Sequence, residues 1–218
     1  MNRLANARDG MRRVLAQRHA LPGRYRPERY WEARASELVH RYDGGPDLWQ
    51  RIGWLRDGIE ERLAVAWLRE LSCSSVLVCG AGSGRQYPYL IDAGFSIEGF
   101  DIAPSLVMEC NRRFADVRTI HAPIADAHSY HEPHDAVLST AVLQHVPPDQ
   151  IAAALSALGG LARKAIVVRE TTVLPHESSY QWAHDYRNEL AGWEEFRRET
   201  TDEQDGRKVE MIAFRHAE

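Results

Sequence analysis

The chain has 218 residues with 44% apolar content, which suits one globular domain of ordinary size with an appendage. No stretch approaches the roughly 18 consecutive apolar residues of a membrane span, so a cytoplasmic protein without membrane contact is expected. The formal net charge is -4, and the three cysteines lack metal-ligand spacing, so we expect reduced thiols in the core.

The chain begins with a basic arm. Residues 1–29 hold eight arginines against two acidic residues, a charge of +6 that leaves -10 for the remainder. We interpret the arm as a solvated segment, within which residues 1–20 form at most a sparsely apolar helix. A nucleic-acid-binding arm and an arginine-rich transit segment are the alternatives. The acidic remainder argues against nucleic acid, because phosphate backbones need cations near the site.

Two helices are predicted between the arm and the first strand. The first spans residues 28–42 and places Trp31, Leu38 and Tyr42 on one face. The second begins at Pro46, a favoured first helical position, and runs to about residue 71. Both helices precede the first strand and therefore stand outside the alternating part of the fold.

Strand and helix signals alternate from residue 75 onward. The predicted strands cover residues 75–79, 95–100, 118–121, 135–140 and 165–170. The predicted helices cover residues 84–93, 104–114, 148–162 and 180–191. Residues 194–200 and 208–215 flank a turn-rich segment and are predicted to form an antiparallel hairpin. This alternation predicts an α/β fold with a mostly parallel, doubly wound sheet.

A glycine loop directly follows the first predicted strand. Residues 76–79 are apolar and lead into Gly80, Gly82 and Gly84, which let backbone turn tightly against a ligand. The spacing differs from the dinucleotide fingerprint, because Arg85 stands where the third glycine would be. The second strand ends at Asp101, whose carboxylate could accept hydrogen bonds from both hydroxyls of a ribose.

Four segments in this order resemble the class I S-adenosylmethionine-dependent methyltransferases over roughly residues 70–218. They are the glycine loop, FDIAPSLV at 100–107, IADA at 124–127 and STAVLQHVPP at 139–148. The resemblance implies a Rossmann-like, seven-stranded sheet in the order 3-2-1-4-5-7-6 with the last strand antiparallel. It also implies S-adenosylmethionine as the cofactor, with S-adenosylhomocysteine as its product.

The resemblance further implies the cofactor contacts. The glycine loop would lie along the methionine part, Asp101 would hold the ribose, and Asp126 with Ala127 would contact the adenine. The predicted cofactor-binding residues are Gly80, Ala81, Gly82, Gly84, Asp101, Ile102, Asp126, Ala127, Thr140, Gln144 and Tyr30. Many members carry Asp or Glu two residues before the first glycine, where this chain has Val78. The usual acidic contact beneath the methionine amino group is therefore absent.

A helical lid over the strand ends is also expected by resemblance. Residues 1–70 are predicted to form the arm and lid, and residues 71–218 the methyltransferase domain. Tyr30, Trp31 and Tyr42 are predicted to help cover the cofactor and the acceptor, with core packing as the alternative for Trp31 and Tyr42.

Two histidines are candidate catalytic residues. His145 follows the fourth strand. His184 lies beside Asp185, and either Asp185 or a backbone carbonyl would fix the tautomer of His184. The alternatives are a supporting or helix-capping role for His145 and a helix-surface position for His184. The histidines of HSYHEPH at 128–134 are interpreted as a solvent-facing connection rather than a zinc site.

The leading functional hypothesis is methyl transfer to an oxygen or nitrogen of a small molecule or short peptide. One alternative is an RNA or protein methyltransferase that uses the basic arm. Another is a non-catalytic S-adenosylmethionine-binding regulatory subunit. A monomer or homodimer is expected.

Overall fold

The computed structural model describes residues 14, 16–21, 25–43, 58–176 and 178–217. Its helices are Pro27–Asp43 (α1), Ile59–Glu70 (α2), Tyr87–Asp92 (α3), Pro104–Arg113 (α4), Ile151–Gly160 (α5) and Tyr186–Glu189 (α6). Its strands are Ser75–Cys79 (β1), Ser96–Asp101 (β2), Arg118–His121 (β3), His134–Thr140 (β4), Ala162–Val173 (β5), Trp193–Gln204 (β6) and Arg207–His216 (β7). Most of the basic arm and the predicted helix start at Pro46 lie outside the described residues.

The seven strands form one sheet in the order β3-β2-β1-β4-β5-β7-β6. The first five pair in parallel, and β7 runs antiparallel to both β5 and β6. The predicted doubly wound α/β fold, its sheet order and its antiparallel last strand are confirmed.

Both faces of the sheet are buried, and alternate residues of β1 show how. Val76 and Val78 belong to a cluster with Leu68 of α2, whereas Leu77 belongs to a cluster with Leu155 of α5. Successive side chains of a strand point to opposite faces, so a strand covered on both sides must be apolar throughout. This burial accounts for the continuous apolar run before the glycine loop, and it fixes where that loop begins.

The predicted helix over residues 180–191 is wrong for most of its length, because the structure has only α6 there. The Tyr180 carbonyl instead accepts a hydrogen bond from His145 Nδ1 at 2.7 Å. The Trp182 amide donates to the Gln144 carbonyl at 2.8 Å. Backbone groups of this segment are therefore hydrogen-bonded to the loop after β4 instead of forming a helix.

Within the described ranges, no helix combines the length and apolar character needed to cross a membrane.

Candidate active site

A cavity of about 400 Å³ lies over the carboxyl ends of β1, β2 and β4. Open α/β sheets bind their ligands at this edge. The strand ends and the loops after them contribute Gly80, Gly82, Asp101, Ile102, Thr140 and His145 to the wall, and most of the remaining lining is apolar. Six of the predicted site residues therefore meet in one place.

The glycine loop needs its glycines for two different reasons. All three have positive φ, which side-chain-bearing residues rarely adopt. A Cβ on Gly80 would lie 2.1 Å from a methyl group of Val142, and one on Gly84 would lie 2.5 Å from the ring of Phe114. A Cβ on Gly82 would meet nothing within 4 Å. Gly80 and Gly84 thus permit close packing, while Gly82 presents bare backbone to the cavity.

The Asp101 carboxylate ties this loop to the end of β2. It is 8% exposed, and its two oxygens accept hydrogen bonds from the amides of Gly82 and Ala103, each at 2.8 Å. Burial raises the pKa of Asp101, against the lowering effect of these amides. A carboxylate has about four acceptor positions, so two remain for hydroxyl groups of a ligand. The donor set suits a ribose, as an S-adenosyl group would require.

The loop after β3 contributes different residues from those predicted. Asp126 is exposed, and Ala127 is fully buried in the core beneath α5. The cavity wall at this loop is formed by Pro123, Ile124 and Ala125. The adenine contacts of Asp126 and Ala127 stay predictions, since the structure brings the three preceding residues to the cavity instead.

The loop after β4 is held by a buried carboxylate that the sequence did not point to. Glu170 of β5 is completely buried, and its Oε1 accepts from the amides of Val142 at 3.0 Å and Leu143 at 3.1 Å. Its Oε2 accepts from the Gln144 amide at 3.1 Å. Burial raises the pKa of Glu170 to about 6, although these hydrogen bonds act in the opposite direction. The carboxylate fixes the backbone immediately before His145.

The tautomer of His145 follows from its partners. Nδ1 lies 2.7 Å from the Tyr180 carbonyl, which can only accept, so Nδ1 carries the proton. Nε2 lies 3.2 Å from the side-chain nitrogen of Gln144. That amide is itself oriented, because its oxygen accepts from the Thr171 amide at 3.0 Å. Gln144 therefore reaches His145 and β5 and does not line the cavity.

The surroundings of His145 also decide its charge. Its ring packs with that of Trp31 at 4.8 Å between centroids and stacks on Tyr180 at 5.9 Å. Burial lowers the pKa of His145 to about 4. The imidazole is consequently neutral at pH 7, and its Nε2 accepts from the Gln144 side-chain amide.

Helix α1 closes the opposite side of the cavity. Trp31 and Leu38 line the cavity together with Tyr25, which precedes the helix. Glu32 attaches the helix to the start of α4, accepting from the Ser105 amide at 3.1 Å.

Tyr30, predicted to contact the cofactor, lies behind the cavity wall. Its hydroxyl accepts from Arg34 at 3.1 Å, and its ring packs against Tyr25 and Tyr180. The side chain of Tyr42 lies outside the described residues.

Two further predicted residues lie away from the cavity. His184 Nε2 donates to the Val146 carbonyl at 3.0 Å, while the Asp185 side chain accepts from the Asn188 amide at the start of α6. The catalytic role of His184 stays a prediction, with a backbone carbonyl rather than Asp185 as its partner. Ala81 is buried in the core, with its amide bonded to the Phe100 carbonyl at 3.0 Å.

The histidines of the HSYHEPH segment face different partners. His131 Nδ1 lies 2.5 Å from the Glu98 carboxylate, and His134 Nδ1 lies 2.9 Å from the Glu132 carbonyl. Across the described ranges, no three potential ligands converge on a metal site.

The sequence and the fold are both similar to those of known methyltransferases. Residues 76–164 match the family model described as a methyltransferase domain. No relative was found among curated proteins. A magnesium protoporphyrin IX methyltransferase from Synechocystis PCC 6803, solved with S-adenosylmethionine bound, superimposes with a TM-score of 0.61 at 20% identity, covering 84% of this chain and 97% of the other.

Two further solved structures share the fold. An S-adenosylmethionine-dependent methyltransferase from Clostridium acetobutylicum gives a TM-score of 0.66 at 8% identity, covering 84% of this chain and 99% of the other. The 1,6-didemethyltoxoflavin-N1-methyltransferase of Burkholderia thailandensis gives 0.60 at 20% identity, covering 88% and 91%. At these identities the likeness establishes the fold, while the matched model identifies residues 76–164 as a methyltransferase domain. With a large cavity at the ends of β1, β2 and β4, the chain has the fold of the class I S-adenosylmethionine-dependent methyltransferases and carries a methyltransferase domain over residues 76–164.

Proposed function

We propose that the enzyme methylates an oxygen or nitrogen of an uncharged, largely apolar small molecule. The observation that carries this proposal is the composition of the large cavity over the strand ends. Asp101 is its one carboxylate among the described residues, and the wall opposite the glycine loop is built from apolar and aromatic side chains such as Trp31. An ionised acceptor would lose its hydration there without gaining a partner of opposite charge.

The strand ends supply the cofactor side of the cavity. Gly82 offers backbone without a side chain, and Asp101 offers two acceptor positions for ribose hydroxyls. S-adenosylmethionine supplies an electrophilic methyl group on a sulfonium when it is bound. Tyr25 and Trp31 can stabilise a positive charge by about 0.5 to 2 kcal/mol each when their rings face it.

His145 is proposed to position the acceptor rather than to ionise it. With its pKa lowered to about 4, the imidazole is a weak base at neutral pH, and efficient proton transfer favours a pKa near the working pH. The one lone pair of Nε2 already accepts from the Gln144 side-chain amide, so the ring positions the acceptor by packing against it. The reaction then depends on alignment, and it favours an acceptor that is already nucleophilic, such as a neutral amine or an acidic hydroxyl.

The rings around the cavity favour a flat acceptor. Trp31 and Tyr25 are joined to the Tyr180 and Tyr30 rings in one aromatic group, which keeps the wall in place. Two structures with the same fold are named for magnesium protoporphyrin IX and 1,6-didemethyltoxoflavin, so both of those proteins are named for small molecules. Small aromatic amines and phenols are therefore the first acceptors to test.

Methyl transfer to a panel of compounds tests this function. The full chain is incubated with S-adenosylmethionine and separate pools of neutral aromatic amines, phenols, carboxylic acids, short peptides and RNA, and methyl gain is read by mass spectrometry. We expect methylation in the neutral aromatic pools, reduced at least tenfold in Trp31→Ala. Preferred methylation of RNA or of ionised acids would contradict the proposal. Cofactor binding without transfer to any pool would instead support the non-catalytic alternative.

A further inference from the structure

A second, much smaller cavity of about 10 Å³ lies beside the large one. Its wall includes Glu61 of α2, Gln86 before α3, and Thr140 at the end of β4. Thr140 also lines the large cavity, so the two spaces share a wall at the glycine-loop end of the site. The volume suffices for one group the size of a water molecule.

Two buried acceptors in this small cavity lack donors. Glu61 and Gln86 are each 6% exposed, and the Oε1 atom of each receives no hydrogen bond from any described residue. Arg85 Nη1 lies 3.5 Å from Glu61 Oε1, an ion pair without a hydrogen bond. The neighbouring Glu60, by contrast, is paired with Arg169 at 2.7 Å. Leaving buried acceptors unpaired is costly, which indicates that something else donates to them.

The position of Val78 explains why this space matters. Val78 is 1% exposed and belongs to the same buried cluster as Ala64, Leu138 and Met211, and all three of these line the small cavity. Val78 thus brings no charge to this space. A carboxylate reaches the same neighbourhood from Glu61, on the helix before β1.

We propose that Glu61 and Gln86 bind the α-ammonium group of the cofactor's methionine part, which rests on the proposed methyltransferase function. An ammonium group has the size of a water molecule, carries three donors and is positive, so it matches a cavity with two unpaired acceptors, one of which belongs to a carboxylate. Arg85 beside Glu61 offers a cation for the carboxylate of the same amino acid. A zwitterion fits this pairing better than a metal cation, which would leave Arg85 facing an additional positive charge.

Calorimetry with two ligands tests the assignment. S-adenosylhomocysteine carries the amino acid part, whereas methylthioadenosine has the same nucleoside without it. Glu61→Gln keeps the shape and removes the charge, and we expect it to weaken S-adenosylhomocysteine binding about 10- to 100-fold. Methylthioadenosine binding should stay within twofold of the parent. Glu70→Gln, which removes a carboxylate from the exposed end of the same helix, should change neither affinity.

The outcomes separate the two proposals. If Glu61→Gln binds S-adenosylhomocysteine as tightly as the parent, the cavity holds only a water and the ammonium assignment is wrong. An equal loss of affinity for both ligands would show that Glu61 has a structural role, and this result would also overturn the ammonium assignment. Gln86→Leu provides a second route should Glu61→Gln fail to fold, with an expected loss of about fivefold or more for S-adenosylhomocysteine alone. If the parent protein binds neither ligand, it is the methyltransferase function that fails.

Discussion

Replacing Glu170 by glutamine should change how the stability of the protein depends on pH. The carboxyl is completely buried, and its pKa is raised from 4.5 to about 6. The folded state therefore holds this proton more tightly than the unfolded state does. Its stabilising contribution is fully present below about pH 4.5 and is lost as the pH rises through about 6. A shift of about 1.5 pKa units corresponds to about 2 kcal/mol of unfolding free energy.

The comparison with the variant isolates this effect from all other ionisations. Glu170→Gln cannot titrate, so the free energy of unfolding of the variant minus that of the parent should increase by about 2 kcal/mol between pH 4.5 and pH 7. Any fixed cost of placing an amide against the Gln144 N–H is the same at both pH values and cancels.

Urea unfolding at a series of pH values measures this difference. Val173→Ala, at an exposed position of the same strand that carries no ionisable group, is the control and should show a difference that does not depend on pH. A constant difference for Glu170→Gln, or one that decreases as the pH rises, would contradict a raised pKa of Glu170 in the folded state. Such a result would mean that the four donors around this carboxylate, the three loop amides and the Ser139 hydroxyl, outweigh its burial.

Three further changes probe the site. Asp101→Ala should weaken S-adenosylhomocysteine binding by about 1.5 to 3 kcal/mol, because a charged hydrogen-bond acceptor is lost; an affinity within twofold of the parent, measured by calorimetry, would exclude ribose binding by this residue. Gly80 has positive φ, and Gly80→Ala would place a Cβ 2.1 Å from Val142. This variant should lower the unfolding free energy by about 1 to 3 kcal/mol, and an unchanged urea midpoint would contradict the prediction. With its pKa lowered to about 4, His145 should not ionise near pH 6. Any limb near pH 6 in the pH profile of methyl transfer should therefore persist in His145→Gln and disappear in Glu170→Gln, and the reverse pattern would assign base catalysis to His145.

The central sheet could be predicted because each strand is marked by the residues of the strand itself and of the turns beside it. The predicted strands at residues 75–79 and 118–121 coincide with β1 and β3, since each is a short run bounded by turn or loop residues. The glycine loop and Asp101 were also predictable, because their chemistry follows directly from their place after a strand. The structure brings both into the cavity wall.

The features that the sequence did not reveal all depend on long-range pairing. The segment before α6 reads as helical, yet its backbone is bonded to residues about 35 positions earlier. Glu170 looks like one more polar residue in a strand, and only the fold shows that it holds the loop before His145. Glu61 likewise reads as a surface residue of an amphipathic helix until the packing of α2 buries it.

A crystal structure of the full chain with S-adenosylhomocysteine would show whether the large cavity binds the cofactor. We expect the nucleoside to occupy the cavity over β1, β2 and β4, with ribose hydroxyls within hydrogen-bonding distance of Asp101 and the sulfur facing Trp31 and His145. A ligand bound elsewhere on the protein, or a ribose that makes no contact with Asp101, would contradict it.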